Sequence, residues 1–178
     1  MTTSVRALAV ICLVVGTWLA TAVGALAADK YAVIMGNTPS ANQFWAKVEQ
    51  GALAKAAELG VEVTVLGSPG GESDVMGQIA LVEDQLSKGI VGLVLAPADF
   101  SALNPTIEKA QKQGVKIVYI DRPGEVKGIS YVGTMNEPAA ALGAQYICDN
   151  IPKGSEVAIL QGVMSIAPGR DRFKGSHD

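Results

Sequence analysis

The chain has 178 residues, of which 49% are hydrophobic and 17% are charged. This composition excludes an intrinsically disordered protein and suits a globular protein of one or two domains. The formal net charge of -3 offers no basic surface for nucleic acid or for an anionic membrane.

The first 27 residues have the pattern of a secretory signal peptide. Arg6 precedes an apolar run that ends in an Ala-Leu-Ala sequence at residues 25–27, where a signal peptidase needs small side chains. We therefore expect cleavage after Ala27 and export of the mature chain. An uncleaved membrane anchor is the alternative, because the run approaches the ~20 residues that span a bilayer. Cys148 is then the one cysteine left, and its helical surroundings predict a buried, unreactive thiol.

Six short runs of apolar and β-branched residues predict strands, and four amphipathic segments predict helices between them. The strand runs begin at Tyr31, Val61, Ile90, Val115, Ile129 and Glu156, and the helical segments cover residues 43–59, 73–88, 101–113 and 137–150. Alternation with a period of about 30 residues is typical of βαβ units. The sequence therefore predicts an α/β fold, a doubly wound parallel sheet in three αβα layers.

In such a sheet, ligands bind beyond the carboxyl ends of the strands. The segments that follow the predicted strands and could carry a site are residues 36–45, 67–73, 96–101, 121–124 and 160–172. Asp121 and Arg122 are notable among them, because they come directly after a buried strand. We expect both to emerge into a ligand cleft.

The sequence lacks the usual motifs of catalysis. It has no phosphate-binding GxxxxGK[ST] loop, no GxGxxG fingerprint and no GxSxG elbow. Its only histidine is His177, close to the C-terminus, and no histidine or cysteine cluster has metal-ligand spacing. We therefore predict no catalytic residues, no metal and no cofactor.

The strand-end residues suit a neutral polyol. Sugar hydroxyls both donate and accept hydrogen bonds, so carboxylates, guanidinium groups and amides bind them, while aromatic rings cover the apolar C–H patches of the sugar. The candidate ligand-binding residues of these types are Asn42, Phe44, Trp45, Asp121, Arg122 and Arg170.

Three motifs containing these residues give the mature chain a resemblance to ribose/galactose-type periplasmic sugar-binding proteins, the type I substrate-binding components of ABC importers. Residues 41–60 resemble the first-helix segment of that family, whose asparagine and two aromatic residues contact the sugar. "VYIDRPG" at residues 118–124 resembles its acid–arginine pair. Residues 158–175 resemble the stretch whose first arginine, here Arg170, contacts the ligand.

The resemblance implies a two-lobed periplasmic protein that binds a small monosaccharide, such as ribose or another pentose or hexose, in the cleft between its lobes. Residues 28–134 would form the N-terminal α/β lobe, and residues 135–178 the hinge crossing and the incomplete start of a second α/β lobe. The implied partners are the sugar, a membrane permease and a chemoreceptor, with no nucleic acid and a mostly monomeric state. Because full members of the family are far longer, we expect a truncated product or fragment.

Several alternatives stay open at the level of single residues. Asn42 could serve only as a helix cap, and either Phe44 or Trp45 could belong to the core. Asp121 and Arg122 could form a structural ion pair, and Arg170 could be a solvated charge.

Two other functions also stay open. A LacI-type regulator shares this fold, although it would carry a basic helix-turn-helix where this chain has its apolar leader. An exported enzyme on the same fold is the second, because fold does not determine function.

Overall fold

The computed structural model of the protein describes residues 28–164 and 166–178. The expected signal peptide, residues 1–27, lies outside them. Five strands run along the chain: β1 (Lys30–Met35), β2 (Glu62–Gly67), β3 (Gly92–Leu95), β4 (Lys116–Ile120) and β5 (Ser130–Val132). The five helices are α1 (Gln43–Leu59), α2 (Val75–Ser87), α3 (Asn104–Lys112), α4 (Asn136–Asn150) and α5 (Ala167–His177).

All neighbouring strands are parallel, in the order β2-β1-β3-β4-β5. The first five predicted strands and all four predicted helices are confirmed, with shifts at the helix ends. The sixth predicted strand, which begins at Glu156, is wrong: residues 156–163 are irregular. An apolar run becomes a strand only where a neighbouring strand pairs with its backbone, and no described strand does so here.

Alternate residues of β1 point to opposite faces of the sheet, and each face is covered by helix. Val33 and Met35 pack with Trp45 of α1. Ala32 and Ile34 belong to the larger core, to which α2 contributes Val82 and Leu86. Helix α3 contributes Ile107 and Ala110, and Leu103, the residue that directly precedes α3, joins them. The predicted three-layer αβα fold is therefore confirmed.

The strand order reverses at β1, because the chain first adds β2 on one side and then β3 on the other. In open α/β sheets, the crevice beside such a reversal is where ligands bind. The fully buried Gln78 of α2 holds this point together. Its Nε2 donates to the carbonyls of Met35 (3.4 Å) and Ala96 (2.8 Å), and its Oε1 accepts from the Ala98 amide (2.7 Å). One amide side chain thus joins the carboxyl ends of β1 and β3.

Helices α4 and α5 pack against each other. They approach closely at Gly175, where an added Cβ would lie under 3.0 Å from the carbonyl oxygen of Glu137. Helix α4 buries none of its residues. The expectation of a buried Cys148 is therefore wrong: the residue is helical but exposed, because residues 157–160 line a pocket beside this face of α4 without covering the thiol. None of the helices in the described ranges has the length and apolar character that crossing a bilayer requires.

Candidate functional site

A cleft of about 320 Å³ lies at the carboxyl ends of the strands, between the strand-end loops and the chain around α5. Four of the six predicted site residues line it, together with five residues that were not predicted. The lining consists of Asn42, Phe44, Trp45, Glu72, Asp121, Val163, Ile166, Pro168 and Arg172. The sequence therefore located the cleft at the correct edge of the sheet.

The first turn of α1 supplies the aromatic wall of the cleft. Phe44 is half exposed, whereas Trp45 is 1% exposed and belongs to the core as well as to the cleft. The two rings meet edge to face, with centroids 4.8 Å apart. Asn42 caps the helix, because its Oδ1 accepts a hydrogen bond from the Phe44 amide (2.8 Å). Capping is compatible with a second, ligand-binding role, which stays a prediction.

The chain turns sharply at Asp121, where β4 ends. Its φ of +61° is the one positive value among the described non-glycine residues, a region that aspartate tolerates better than most side chains. The Arg122 amide donates to the Ile120 carbonyl (2.6 Å), which closes a three-residue turn around Asp121. The Tyr131 hydroxyl donates to the Asp121 carbonyl (2.9 Å) and holds the turn from β5. This strained turn directs Asp121 to the cleft and Arg122 to the interior.

The guanidinium group of Arg122 is buried, with 2% of the residue exposed. It forms an ion pair with the Glu72 carboxylate, and its Nη1 donates to the Glu72 carbonyl (3.2 Å). Its Nε donates to Asp121 Oδ2 (3.4 Å), and its Cζ lies 6.0 Å from the Trp45 ring centroid. The expectation that Arg122 emerges into the cleft is therefore wrong: its side chain does not line the cleft, because the turn at Asp121 directs it inwards to a charged cluster with Glu72 and Asp121. Direct contact of Arg122 with a ligand stays a prediction.

Glu72 is the main residue that the sequence analysis missed. Its Oε1 accepts a hydrogen bond from the Trp45 indole (2.6 Å), while its Oε2 pairs with Arg122. Glu72 does lie within residues 67–73, a segment that could carry a site because it follows a predicted strand. No sequence pattern, however, relates an acid in a glycine-rich loop to an arginine fifty residues further along the chain.

The two arginines of α5 occupy different places. Arg170, the predicted ligand contact, does not line the cleft; its Nη1 donates to the Met164 carbonyl (3.2 Å). Arg172 lines the cleft instead, and its Nε donates to Asn136 Oδ1 (3.0 Å). The ligand-binding role of Arg170 stays a prediction. Arg172 is a further candidate, and the sequence could have suggested it because it lies only two residues after Arg170.

Burial raises the pKa of the Asp121 carboxyl above its ordinary value of 3.8, although the Arg122 guanidinium opposes the shift. Because its pKa is higher in the folded state, protonated Asp121 adds to the free energy of unfolding. This contribution is fully present below pH 3.8 and is lost as pH rises through the folded-state pKa. Asp121→Asn removes this loss, and asparagine also tolerates a positive φ. We therefore expect the free energy of unfolding of the variant, relative to the native protein, to increase between pH 3.5 and pH 7. Urea unfolding at several pH values measures it.

Asp99→Asn is the matched control, with the opposite sign. Backbone hydrogen bonds from Ser101 and Ala102 lower the pKa of Asp99, so its contribution is present above pH 3.8 and is lost on acidification. The Asp99→Asn variant should therefore lose stability relative to the native protein as pH rises over the same range. Parallel pH profiles of the two variants would contradict the assignment of Asp121 as a carboxyl with a raised pKa.

Comparison with known proteins agrees with this fold. The family model described as "Periplasmic binding protein domain" matches residues 31–178. The D-allose-binding periplasmic protein of Escherichia coli (strain K12) is 32% identical over 171 residues, covering 91% of this chain and 53% of that protein. The D-ribose/D-allose-binding protein of Pseudomonas aeruginosa is 32% identical over 146 residues, covering 78% and 46%. The chain thus spans about half the length of these curated relatives.

Two solved structures have the same fold. An ABC transporter periplasmic solute binding protein from Actinobacillus succinogenes 130z with bound D-allose has a TM-score of 0.74 and 26% identity, covering 83% of this chain and 53% of that one. A carbohydrate transporter solute binding protein from Agrobacterium radiobacter in complex with D-arabinose has a TM-score of 0.74 and 26% identity, covering 85% and 52%. The predicted resemblance is confirmed: this chain belongs to the periplasmic binding protein domain family.

Proposed function

We propose that the protein is the periplasmic substrate-binding component of an ABC sugar importer and that it binds a small monosaccharide in the cleft at the carboxyl edge of its sheet. The relatives are named for D-ribose and D-allose, and the two solved structures contain D-allose and D-arabinose. An aldopentose or aldohexose is therefore the ligand class that we propose. Binding and release, without chemical conversion of the sugar, is the proposed activity.

The combination of an aromatic wall with fixed hydrogen-bonding groups is the observation that carries this proposal. The half-exposed Phe44 offers a ring face or edge to the apolar side of a sugar. The cleft also contains the Asn42 amide, the carboxylates of Glu72 and Asp121, and the Arg172 guanidinium. These groups can both donate to and accept from sugar hydroxyls. A volume of about 320 Å³ is at the lower end of small-molecule sites.

We also propose the two-lobed organisation of the family for this chain. Residues 28–134 would form the first lobe, and residues 135–178 the hinge crossing and the start of the second. The packing of α4 against α5 supports this division. A periplasmic location after removal of residues 1–27, a membrane permease and a chemoreceptor as partners, and a mostly monomeric state complete the proposal.

Sugar binding should change the intrinsic fluorescence of the protein. The sequence has two tryptophans, Trp18 and Trp45, so only Trp45 emits once residues 1–27 are removed. Trp45 lines the cleft with its indole N–H bonded to Glu72, and a ligand at that wall alters the surroundings of the ring. We expect D-ribose, D-allose or D-arabinose to shift the emission in a saturable manner. Titration calorimetry on the same sample gives an independent affinity.

The Trp45→Phe variant is the optical control, because it should lose the signal while calorimetry still detects heat of binding. Sodium chloride at matched osmolarity controls for solvent effects. If none of the three sugars, at millimolar concentration, changes the emission or releases heat, the proposed function is wrong. Conversion of a bound sugar to a new compound, detected by mass spectrometry, would support an enzyme instead.

A further inference from the structure

Two carboxylates, not one, face the cleft. Glu72 and Asp121 both line it, and their side chains are 22% and 24% exposed. Both pair with the same guanidinium group, that of the buried Arg122. The Glu72 charge also raises the pKa of Asp121, which agrees with their closeness.

Arg122 bonds to both of these carboxylates. Three hydrogen bonds direct its guanidinium towards protein oxygens, two on Glu72 and one on Asp121. The residue is 2% exposed and is absent from the lining of the cleft. In this structure the arginine of the acid–arginine pair therefore holds acceptors in place, and the acceptors face the cleft.

The orientation of Glu72 is fixed before any ligand binds. The Trp45 indole donates to Oε1 (2.6 Å) and Arg122 donates to Oε2, while the Glu72 backbone carbonyl accepts from Arg122 (3.2 Å). A carboxylate oxygen has two acceptor sites, so each oxygen can take one further hydrogen. An acceptor that is already oriented loses little side-chain entropy on binding, which favours affinity and selectivity.

We propose that Glu72 is a specificity-determining residue that accepts a hydrogen bond from one sugar hydroxyl, while Asp121 accepts one from a neighbouring hydroxyl. Arg122 is the positioning residue for both carboxylates. This inference rests on the proposed function and names its ligand more closely: a neutral sugar with two adjacent hydroxyl donors. A sugar that lacks one of these hydroxyls leaves a carboxylate without its partner.

The test combines Glu72→Gln with removal of single hydroxyls from the ligand. Calorimetry first selects the best ligand among D-ribose, D-allose and D-arabinose for the native protein, and its monodeoxy analogues are then titrated. A charged hydrogen bond contributes roughly a tenfold to hundredfold factor in affinity. We expect Glu72→Gln to lower the affinity for the parent sugar by about tenfold or more. For one particular deoxy analogue, the ratio of parent affinity to analogue affinity should be about tenfold smaller in the variant than in the native protein.

Glu83→Gln is the matched control. It makes the same chemical change at a carboxylate of α2 that pairs with Lys109 and does not line the cleft. This variant should bind the parent sugar and every deoxy analogue as the native protein does. Circular dichroism verifies the fold of each variant. If Glu72→Gln fails to fold, Glu72→Asp replaces it, keeping the charge but withdrawing the carboxylate by one methylene group.

Two results would overturn the inference while leaving the proposed function intact. Either the Glu72 variant binds the parent sugar as tightly as the native protein, or it weakens the parent and all deoxy analogues by the same factor. The second result is what a purely structural role for Glu72 produces. A native protein that binds none of the sugars fails at an earlier step, because the proposed function itself is then wrong.

Discussion

Replacing Arg122 by alanine should lower the free energy of unfolding by about 3 kcal/mol and weaken sugar binding by at least about tenfold. The change removes a guanidinium that is 2% exposed and leaves the carboxylates of Glu72 and Asp121 facing each other. Breaking a buried pair costs about 3 to 5 kcal/mol, and we expect the lower value because both carboxylates keep some contact with water. Urea unfolding at pH 7 measures the loss.

The pH dependence of this loss identifies its cause. Without the guanidinium, burial and the neighbouring Glu72 charge both raise the pKa of Asp121 in the folded state, and the Arg122 charge no longer opposes them. Stability is then regained as pH falls, because protonation removes the unpaired charge, so the deficit should shrink on acidification. Arg172→Ala, which removes an exposed arginine from the same cleft, should change stability by less than about 0.5 kcal/mol. A deficit of Arg122→Ala that is independent of pH would contradict the charged cluster.

Substitution of Gly36 by alanine should have the second largest effect, a loss of about 2 kcal/mol together with a clear loss of sugar affinity. Gly36 follows β1 directly, and the pair formed by Arg122 and Glu72 passes over it. An added Cβ would lie under 3.0 Å from Arg122 Nη2 and from Glu72 Oε2. These side-chain ends cannot move aside cheaply, because one is buried and the other is bonded to Trp45. The methyl group should therefore separate the ion pair.

Gly51→Ala supplies the control for this substitution. Gly51 lies inside α1, and a Cβ added there would meet no atom within 4 Å. Alanine favours a helix by up to about 1 kcal/mol over glycine, so this variant should be slightly more stable and should bind sugar normally. If Gly36→Ala and Gly51→Ala have the same free energy of unfolding and the same sugar affinity, the ion pair of Arg122 and Glu72 does not require a residue without a Cβ at position 36.

The fold could be predicted well from the sequence because its signals are local. Helix α1 occupies the predicted residues 43–59, since its apolar spacing, the Asn42 cap and the left-handed Gly60 all lie within one segment. The alternation of strands and helices was enough for the parallel sheet. The run at Glu156 carried an equally clear local signal, but a strand also depends on a partner elsewhere in the chain.

The site could be predicted only in part, because its signals are not local. The position of Asp121 at a strand end placed it in the cleft, as expected. The side chain of Arg122 enters the interior because of a three-residue turn, and no propensity predicts that turn for the pair Asp-Arg. Glu72 follows β2 and Arg122 follows β4, so the two residues meet only after the sheet has placed β1 and β3 between those strands. Such a pairing exists in the folded sheet and in no stretch of sequence.

The hydrogen bonds of Gln78 have a consequence for how such a protein can change its ligand. The loops after β1 and β3 are tied to α2 through backbone carbonyls and an amide, with no involvement of the side chains that line the cleft. Different residues therefore hold the backbone of the crevice in place and form the surface that contacts a ligand. Residues such as Phe44 can be exchanged through evolution, and new sugars admitted, while the crevice between β1 and β3 keeps its shape.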